Sequence, residues 1–600
     1  MMNLTDIRFT ECGYFYKLKE DKQFSDKEIH RMMVDVTNGK IQNYLFDLER
    51  EDGGNGTRFS LRVFKQKIDK PSFFAHPENG WEELRVGYFL FIECDRYVVV
   101  LRRNATVPKW VSDKLENVDY TTLMALEARQ DSVFRKLSMQ NLDGSDYAMR
   151  NRTYESLDLS SNMSPIGISR YYVRSVTGNN TDGRFSLTLG SSRINEFGAN
   201  FTVRDICGWV RQKVDLIGVI GVMPDTLLSA FAKPEKYSIV YDKLQPQSLL
   251  ISYGLIRRLK DEQQAQFYHT NSKRQRKLID EDVFERYIER ISRAYTNIRT
   301  VEKNGNKYFY TGYNDAIELR LMKTGIKLCC KTWNNIEVEG SQDGVYDMDL
   351  QSLINVHHEF NVYFTDNELV YANKTLFRDT RLIASIPQFL KVLQDMPSLD
   401  HTNYEKYPGK SPKRLKDWNA KSIFKAVEQV FIPQYTHFIC DDCNDEWADH
   451  IGISKGKVSF FVSKHNDSKN SASDFQDVVG QALKNLGNLT PTMGQLKRKL
   501  GNWNGKYQTS QMDRMRSNNG TAQDAVALWG DNVMNPNYVR EMCLVVDFLS
   551  KKTFSKQLDD IAHNTPVVHE SELRQRLWIL SSFVNGCLEC GVKPVIYCKS

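Results

Sequence analysis

Five carboxylates fall within nine positions of this chain: Asp441, Asp442, Asp445, Glu446 and Asp449. Short apolar runs of strand type carry them, so the acids crowd the ends of a small hairpin. Like charges packed this densely repel one another unless a cation sits among them. Oxygen donors of this kind suit a hard divalent ion, Mg²⁺ or Mn²⁺. The next run, Lys457-Val-Ser-Phe-Phe-Val-Ser-Lys464, alternates as a half-buried strand and delivers Lys464 to the sheet edge. A carboxylate group and an ammonium are thereby expected at one strand end.

Helices are expected on both sides of these strands. Ser471 and Asp474 stand in capping-box order before Phe475, Val478, Val479, Ala482, Leu483 and Leu486, which recur at helical spacing. Asp477, Gln481 and Asn485 occupy the other face of that helix. Upstream, Ser422 to Phe431 is amphipathic, with Glu428 late in the run. The order is helix, three strands, helix. It resembles the core of the PD-(D/E)xK nucleases, the restriction-endonuclease-like fold, over the C-terminal part of the chain.

That resemblance implies a role for each matching residue. Asp449 looks like the motif aspartate, Lys464 the motif lysine, Glu428 the helical glutamate and Gln481 the glutamine found in RecB-like members. Val462 departs from the pattern, because the family carries an acid or Gln two positions before the lysine. Glu446 or Asp442 is then the expected replacement, completing a metal site with Asp449. The implied activity is Mg²⁺- or Mn²⁺-dependent hydrolysis of DNA, of the kind found in bacterial defence against phage. A nucleic-acid-binding or assembly protein with an inactive core is the alternative, and a homo-oligomer stays open.

Basic segments flank this region. Lys413, Arg414 and Lys416 precede it, and Lys497, Arg498, Lys499, Lys506, Arg514 and Arg516 follow it, with Trp503 and Tyr507 interleaved. Cations neutralise phosphates while rings pack on sugars or unpaired bases, so these residues are the expected nucleic-acid contacts. The continuous apolar run Met542–Leu549, a helix over Glu572–Glu589 and a strand over Lys593–Cys598 extend the α/β pattern.

A chain of 600 residues exceeds a single core. The fold class expected is multidomain α+β: a strand-rich N-terminal α+β module over residues 1–250, a middle α+β segment with a basic linker over 251–400, and a C-terminal α/β restriction-endonuclease-like domain over 401–600. A net charge of +6 is small for this length, so any nucleic-acid surface must be local. The eleven cysteines are scattered, which fits free thiols and a cytoplasmic setting; Cys440-x-x-Cys443 and Cys587-x-x-Cys590 lie too far apart for a usual zinc ribbon. The sequence offers neither an export signal nor a membrane span.

In the N-terminal half, Ile7–Leu18, Arg58–Phe64 and Arg85–Leu101 read as strands, the last broken at Cys94-Asp95-Arg96. Val111–Leu137 reads as helical, while Tyr171–Arg174 and Arg184–Leu189 return to strand. Gly53-Gly-Asn-Gly56 lacks the Lys-Ser/Thr of a phosphate loop and reads as a hairpin turn. Asp261–Asp280 reads as a solvated helix or linker, Val283–Tyr295 as an amphipathic helix and Tyr308–Asn335 as a short-stranded sheet. His357-His358-Glu359 points its residues to different sides and is not expected to bind metal. With no catalytic constellation, this half is expected to sense or gate.

Overall fold

In the computed structural model, residues 3–600 are described apart from 37–40, 69–73, 75–77, 145–148, 161–162, 164–166, 221–225, 272–274, 294, 304–305, 313–316, 341–347, 380–385, 409–411, 414, 444, 468–471, 518 and 564. The protein is a multidomain α+β molecule, 34% helix and 36% strand. It divides into two compact units, Met1–Ser160 with Arg170–Thr380, and Ser161–Ser169 with Arg381–Ser600. Most of residues 1–250 and 251–400 falls in the first unit, while 161–169 and 381–400 fall in the second. No helix among the described residues is long and apolar enough to cross a membrane.

The first unit is built on an eleven-stranded sheet. Its long hairpin, Ile41–Gly54 with Thr57–Ile68, closes through Asn55 and Gly56, both at positive φ (54° and 74°). This Asn-Gly pair fits the twist of the flanking strands, which is the role the glycine cluster was expected to play. Glu83–Cys94 and Tyr97–Arg103 form the hairpin expected at Asp95-Arg96. The expectation for Val111–Leu137 needs correction: only Tyr120–Glu127 is a substantial helix, and Val133–Asn141 is a strand between two partners. Pairing on both edges overrides the local helical pattern there.

Three smaller sheets fill residues 233–378. Asp261–Asp280 is corrected as well, because Ala265–Thr270 and Arg276–Leu278 pair as a hairpin rather than forming a helix or linker. Helix Glu281–Ile291 and the strands between Asn306 and Cys329 follow the sequence pattern. His358 is buried, caps helix Leu350–His357 in left-handed conformation, and accepts the Lys374 N–H at Nδ1. Phe377 of this part stacks on Tyr172 at 4.8 Å and meets Tyr120 edge-on at 5.1 Å. These buried rings join the small sheets to the large one.

The second unit centres on a six-stranded sheet. Its strands in chain order are β1 (Leu393–Asp395), β2 (His437–Cys440), β3 (His450–Ser454), β4 (Lys457–Lys464), β5 (Val539–Ser550) and β6 (Lys593–Lys599). Spatially the order is β1-β6-β5-β4-β3-β2. β2, β3 and β4 form an antiparallel meander, and β5, β6 and β1 add in parallel. Parallel strands sit between covering helices, which is why β5 is buried over nine consecutive residues, all apolar but Glu541 and Asp547.

Helix α1 (Ile423–Phe431) covers one face, where Ile423, Ala426 and Val427 pack with Phe438, Phe461 and Val545. Helix α2 (Ala472–Lys484) covers the other, where Val478, Val479 and Ala482 pack with Phe460, Val462 and Leu544. Alternating residues of β4 therefore serve opposite layers. The residue expected to cap α2, Ser471, lies outside the described residues. Helices α3 (Met493–Trp503) and α4 (Ala522–Val533) join the α2 layer through Trp503 and Trp529, whose rings stack at 6.2 Å.

Candidate functional site

The acidic loop runs from the end of β2 to the start of β3, held from below by a buried carboxylate. Asp441 is 2% exposed and accepts hydrogen bonds from Trp447 N (2.8 Å), Trp503 Nε1 (2.8 Å) and Lys499 Nζ (2.9 Å). Burial raises its pKa, with Lys499 opposing. Cys443 and Asp445 then take left-handed backbone, φ 71° and 59°. These bends return Glu446 toward its neighbours, a conformation sustained only where surrounding contacts enforce it.

Three carboxylates converge as a result. One oxygen each from Asp442, Glu446 and Asp449 lies within 4.8 Å of the other two. Each side chain is also oriented by a donor. Asp449 Oδ2 accepts the Ser463 N–H at 2.6 Å, tying it to the end of β4. Asp442 takes Lys406 Nζ at 2.8 Å and the Tyr507 hydroxyl at 2.8 Å. Glu446 accepts from Gln481 Nε2 of α2 at 3.0 Å, with Lys484 Nζ 3.8 Å away.

The electrostatics follow from burial and crowding. Burial first, and then the Asp442 charge, push the Asp449 carboxyl well above its ordinary range. Burial acts to raise Asp442 too, but Lys406 outweighs it and holds that group below the ordinary value. Two buried carboxylates and a half-buried one offer three hard oxygen donors that could hold a metal ion.

Lys464 ends β4 half-buried, and its ammonium has no ion pair or hydrogen bond among the described residues. Val462 lies across from Asp449 by register, since His450 pairs with Phe461. The missing acid thus leaves an apolar side chain beside Asp449. Asp442 and Glu446 approach from the loop instead.

Glu428 does not join this group, and the reason is the sheet. It belongs to α1, on the face opposite α2, where His450 points while its neighbour Asp449 points away. Its carboxylate receives Trp418 Nε1 (2.6 Å) and Arg516 Nη2 (2.8 Å), with His450 Nε2 at 3.4 Å. Burial opposes ionisation, but His450 and Arg516 bring its pKa down to about 2.

The basic flanks also need correction. Lys499 is committed to Asp441, Arg514 donates to the Cys440 and Asp442 carbonyls, and Arg516 is bound to Glu428, whereas Lys506 stays exposed in a surface pair with Asp513. Trp503 and Tyr507 are 0% and 1% exposed, so neither ring is free to stack on a base. Packing wins because these residues build the wall behind the acidic loop. Lys413, Lys416, Lys497 and Arg498 are exposed, and Arg414 lies outside the described residues.

Sequence reasoning missed Lys406 and the bond of Tyr507 to Asp442. Lys406 reaches the site from an irregular segment, where Asn419 N donates to its carbonyl, so no local periodicity marked it. Searches against family models, curated proteins and solved structures returned no match.

Proposed function

We propose that the second unit is the catalytic domain of a metal-dependent nuclease acting on DNA, with a restriction-endonuclease-like core. The observation that carries this reading is the convergence of Asp442, Glu446 and Asp449 within 4.8 Å beside the end of the strand that bears Lys464. Helix, three strands and helix in chain order support it, as does Gln481 bonded to Glu446.

Asp442, Glu446 and Asp449 would hold Mg²⁺ or Mn²⁺. Such an ion polarises a phosphate and lowers the pKa of a bound water. The chain's own groups do the rest. Ser463 N–H and Gln481 fix the orientation of Asp449 and Glu446, which keeps their lone pairs directed at one point. Lys464, uncommitted to any carboxylate, would stabilise negative charge developing on the phosphate or orient the attacking water. Exposed Lys413, Lys416, Lys497 and Arg498 would meet the backbone of the nucleic acid. Defence against phage or foreign DNA is the setting that the family resemblance suggests.

One observation favours a second reading, an inactive core retained for binding. Lys406 touches both oxygens of Asp442, at 2.9 and 2.8 Å, and supplies internally some of the positive charge a metal would bring. The two readings separate on linear and supercoiled DNA incubated with Mg²⁺, Mn²⁺ or EDTA, wild type beside Lys464→Ala. Cutting that needs metal and vanishes in the variant supports the nuclease. Absence of cutting under every condition, with metal binding also absent by calorimetry, rules it out in favour of the inactive core.

A further inference from the structure

The first unit contains a cleft of about 1180 Å³ that the nuclease reading does not use. Seven arginine and lysine side chains line it against three carboxylates. The whole chain is only +6, so this one cleft concentrates an excess of four positive charges. Arg174 is partly neutralised by Glu359 at 3.6 Å and Arg85 by Glu83 at 2.6 Å. Arg103, Arg258 and Lys374 have no side-chain ion pair or hydrogen bond among the described residues. Like charges gathered without partners are costly, and a polyanion relieves that cost.

Two independent features point to the chemistry of that anion. Helix Gly254–Asp261 opens into the cleft at Gly254 and Leu255, with neither a side-chain cap on its first N–H groups nor an acid in its first turn. Free N–H groups at a helix start, with the positive end of its dipole, suit a phosphate. Tyr14 also lines the cleft, with Arg102 at 5.2 Å and Arg193 at 5.8 Å from its ring centre. Flat rings and guanidinium planes among cations are what bases stack on in single-stranded nucleic-acid sites. The cleft exceeds the roughly 300–1,000 Å³ of sites for drug-sized molecules, so it is large for one nucleotide.

We propose that this cleft binds a single-stranded nucleic-acid segment several nucleotides long, with phosphates at Arg103, Arg258, Lys374 and the helix start, and bases against Tyr14. The site is separate from the carboxylate cluster and does not depend on the nuclease reading. It supplies a ligand class for the sensing role expected of this half.

The test is fluorescence anisotropy on the full-length protein in EDTA, with labelled 12-nucleotide DNA and RNA strands, their duplexes and a mononucleotide. The comparison is with Arg103→Ser/Arg258→Ser/Lys374→Ser. Losing three cations should lower the salt slope of single-strand binding by about 2, roughly 100-fold in affinity at 0.1 M salt. Lys552→Ser/Lys556→Ser, two exposed lysines of the other unit outside both sites, should leave that slope unchanged. A strand carrying 5-iodouracil, photocrosslinked to wild-type protein, should attach at Tyr14 or Tyr16; this readout holds even if the triple variant folds poorly. Crosslinks confined to residues 381–600, an unchanged slope in the variant, preference for duplex or mononucleotide, or no single-strand binding by the wild type would each overturn the proposal.

Discussion

Replacing Asp449 by Asn should invert the stability order of two proteins when metal is added. The carboxylate oxygens lie within 4.8 Å of one another, and unit charges at that limit repel by roughly 3.5 kcal/mol at an effective dielectric constant near 20. Lys406, 2.8 Å from Asp442, offsets part of this, leaving about 1–2 kcal/mol of net cost in the metal-free protein. Asn keeps an acceptor for the Ser463 N–H and removes the charge. In EDTA at pH near 8, Asp449→Asn should therefore melt above wild type, by roughly 2–6 °C for a unit of this size. With Mg²⁺ at about 100 times its Kd, wild type gains about 2.7 kcal/mol while the variant, short of one ligand charge, gains far less. The melting curves should cross. Scanning calorimetry of both proteins in EDTA and in a Mg²⁺ series reads this directly. A wild type indifferent to Mg²⁺ and Mn²⁺, or a variant less stable than wild type already in EDTA, would refute the reasoning.

Acidity should act on two carboxylates in opposite senses. The folded pKa of Asp449 is raised, so its contribution is fully present below the unfolded value near 4 and is lost as pH rises through the folded one. The Mg²⁺ increment should accordingly grow as pH rises from the unfolded value through the raised folded one, as measured by melting at each pH. Glu428 is lowered from 4.5 to about 2, so its contribution, on the order of 3 kcal/mol, is present above pH 4.5 and lost as pH falls toward 2. Arg516→Met should cost about 3–5 kcal/mol in denaturant unfolding because it strands that buried charge, and adding Glu428→Gln should recover at least half; a single-variant cost below about 1 kcal/mol would contradict the pairing. Gln481→Leu should weaken Mn²⁺ binding 10- to 100-fold by calorimetry, as loss of a ligand-orienting bond does, and an unchanged affinity would separate Gln481 from the site.

The sequence by itself determined the local order of the second unit. Its alternating runs set β3 and β4, an apolar block set β5, and helical spacing set α1 and α2, because each pattern is enforced by burial on one or two faces. It also set the hairpin turn at Asn55-Gly56, where positive φ favours those residue types. Crowded acids marked the loop from which Asp442, Glu446 and Asp449 converge. What it left open was which face each helix covers, and that decided the fate of Glu428: α1 and α2 lie on opposite sides of one sheet, so Gln481 meets the cluster and Glu428 does not. Only tertiary packing turned Lys499, Arg514, Trp503 and Tyr507 inward, since a basic or aromatic residue reads alike whether it meets solvent or a buried carboxylate. Lys406 and the cleft of the first unit come from distant segments brought together. Arg103 and Lys374 lie far apart in the chain, and charges that pair or gather through space leave no period in the sequence.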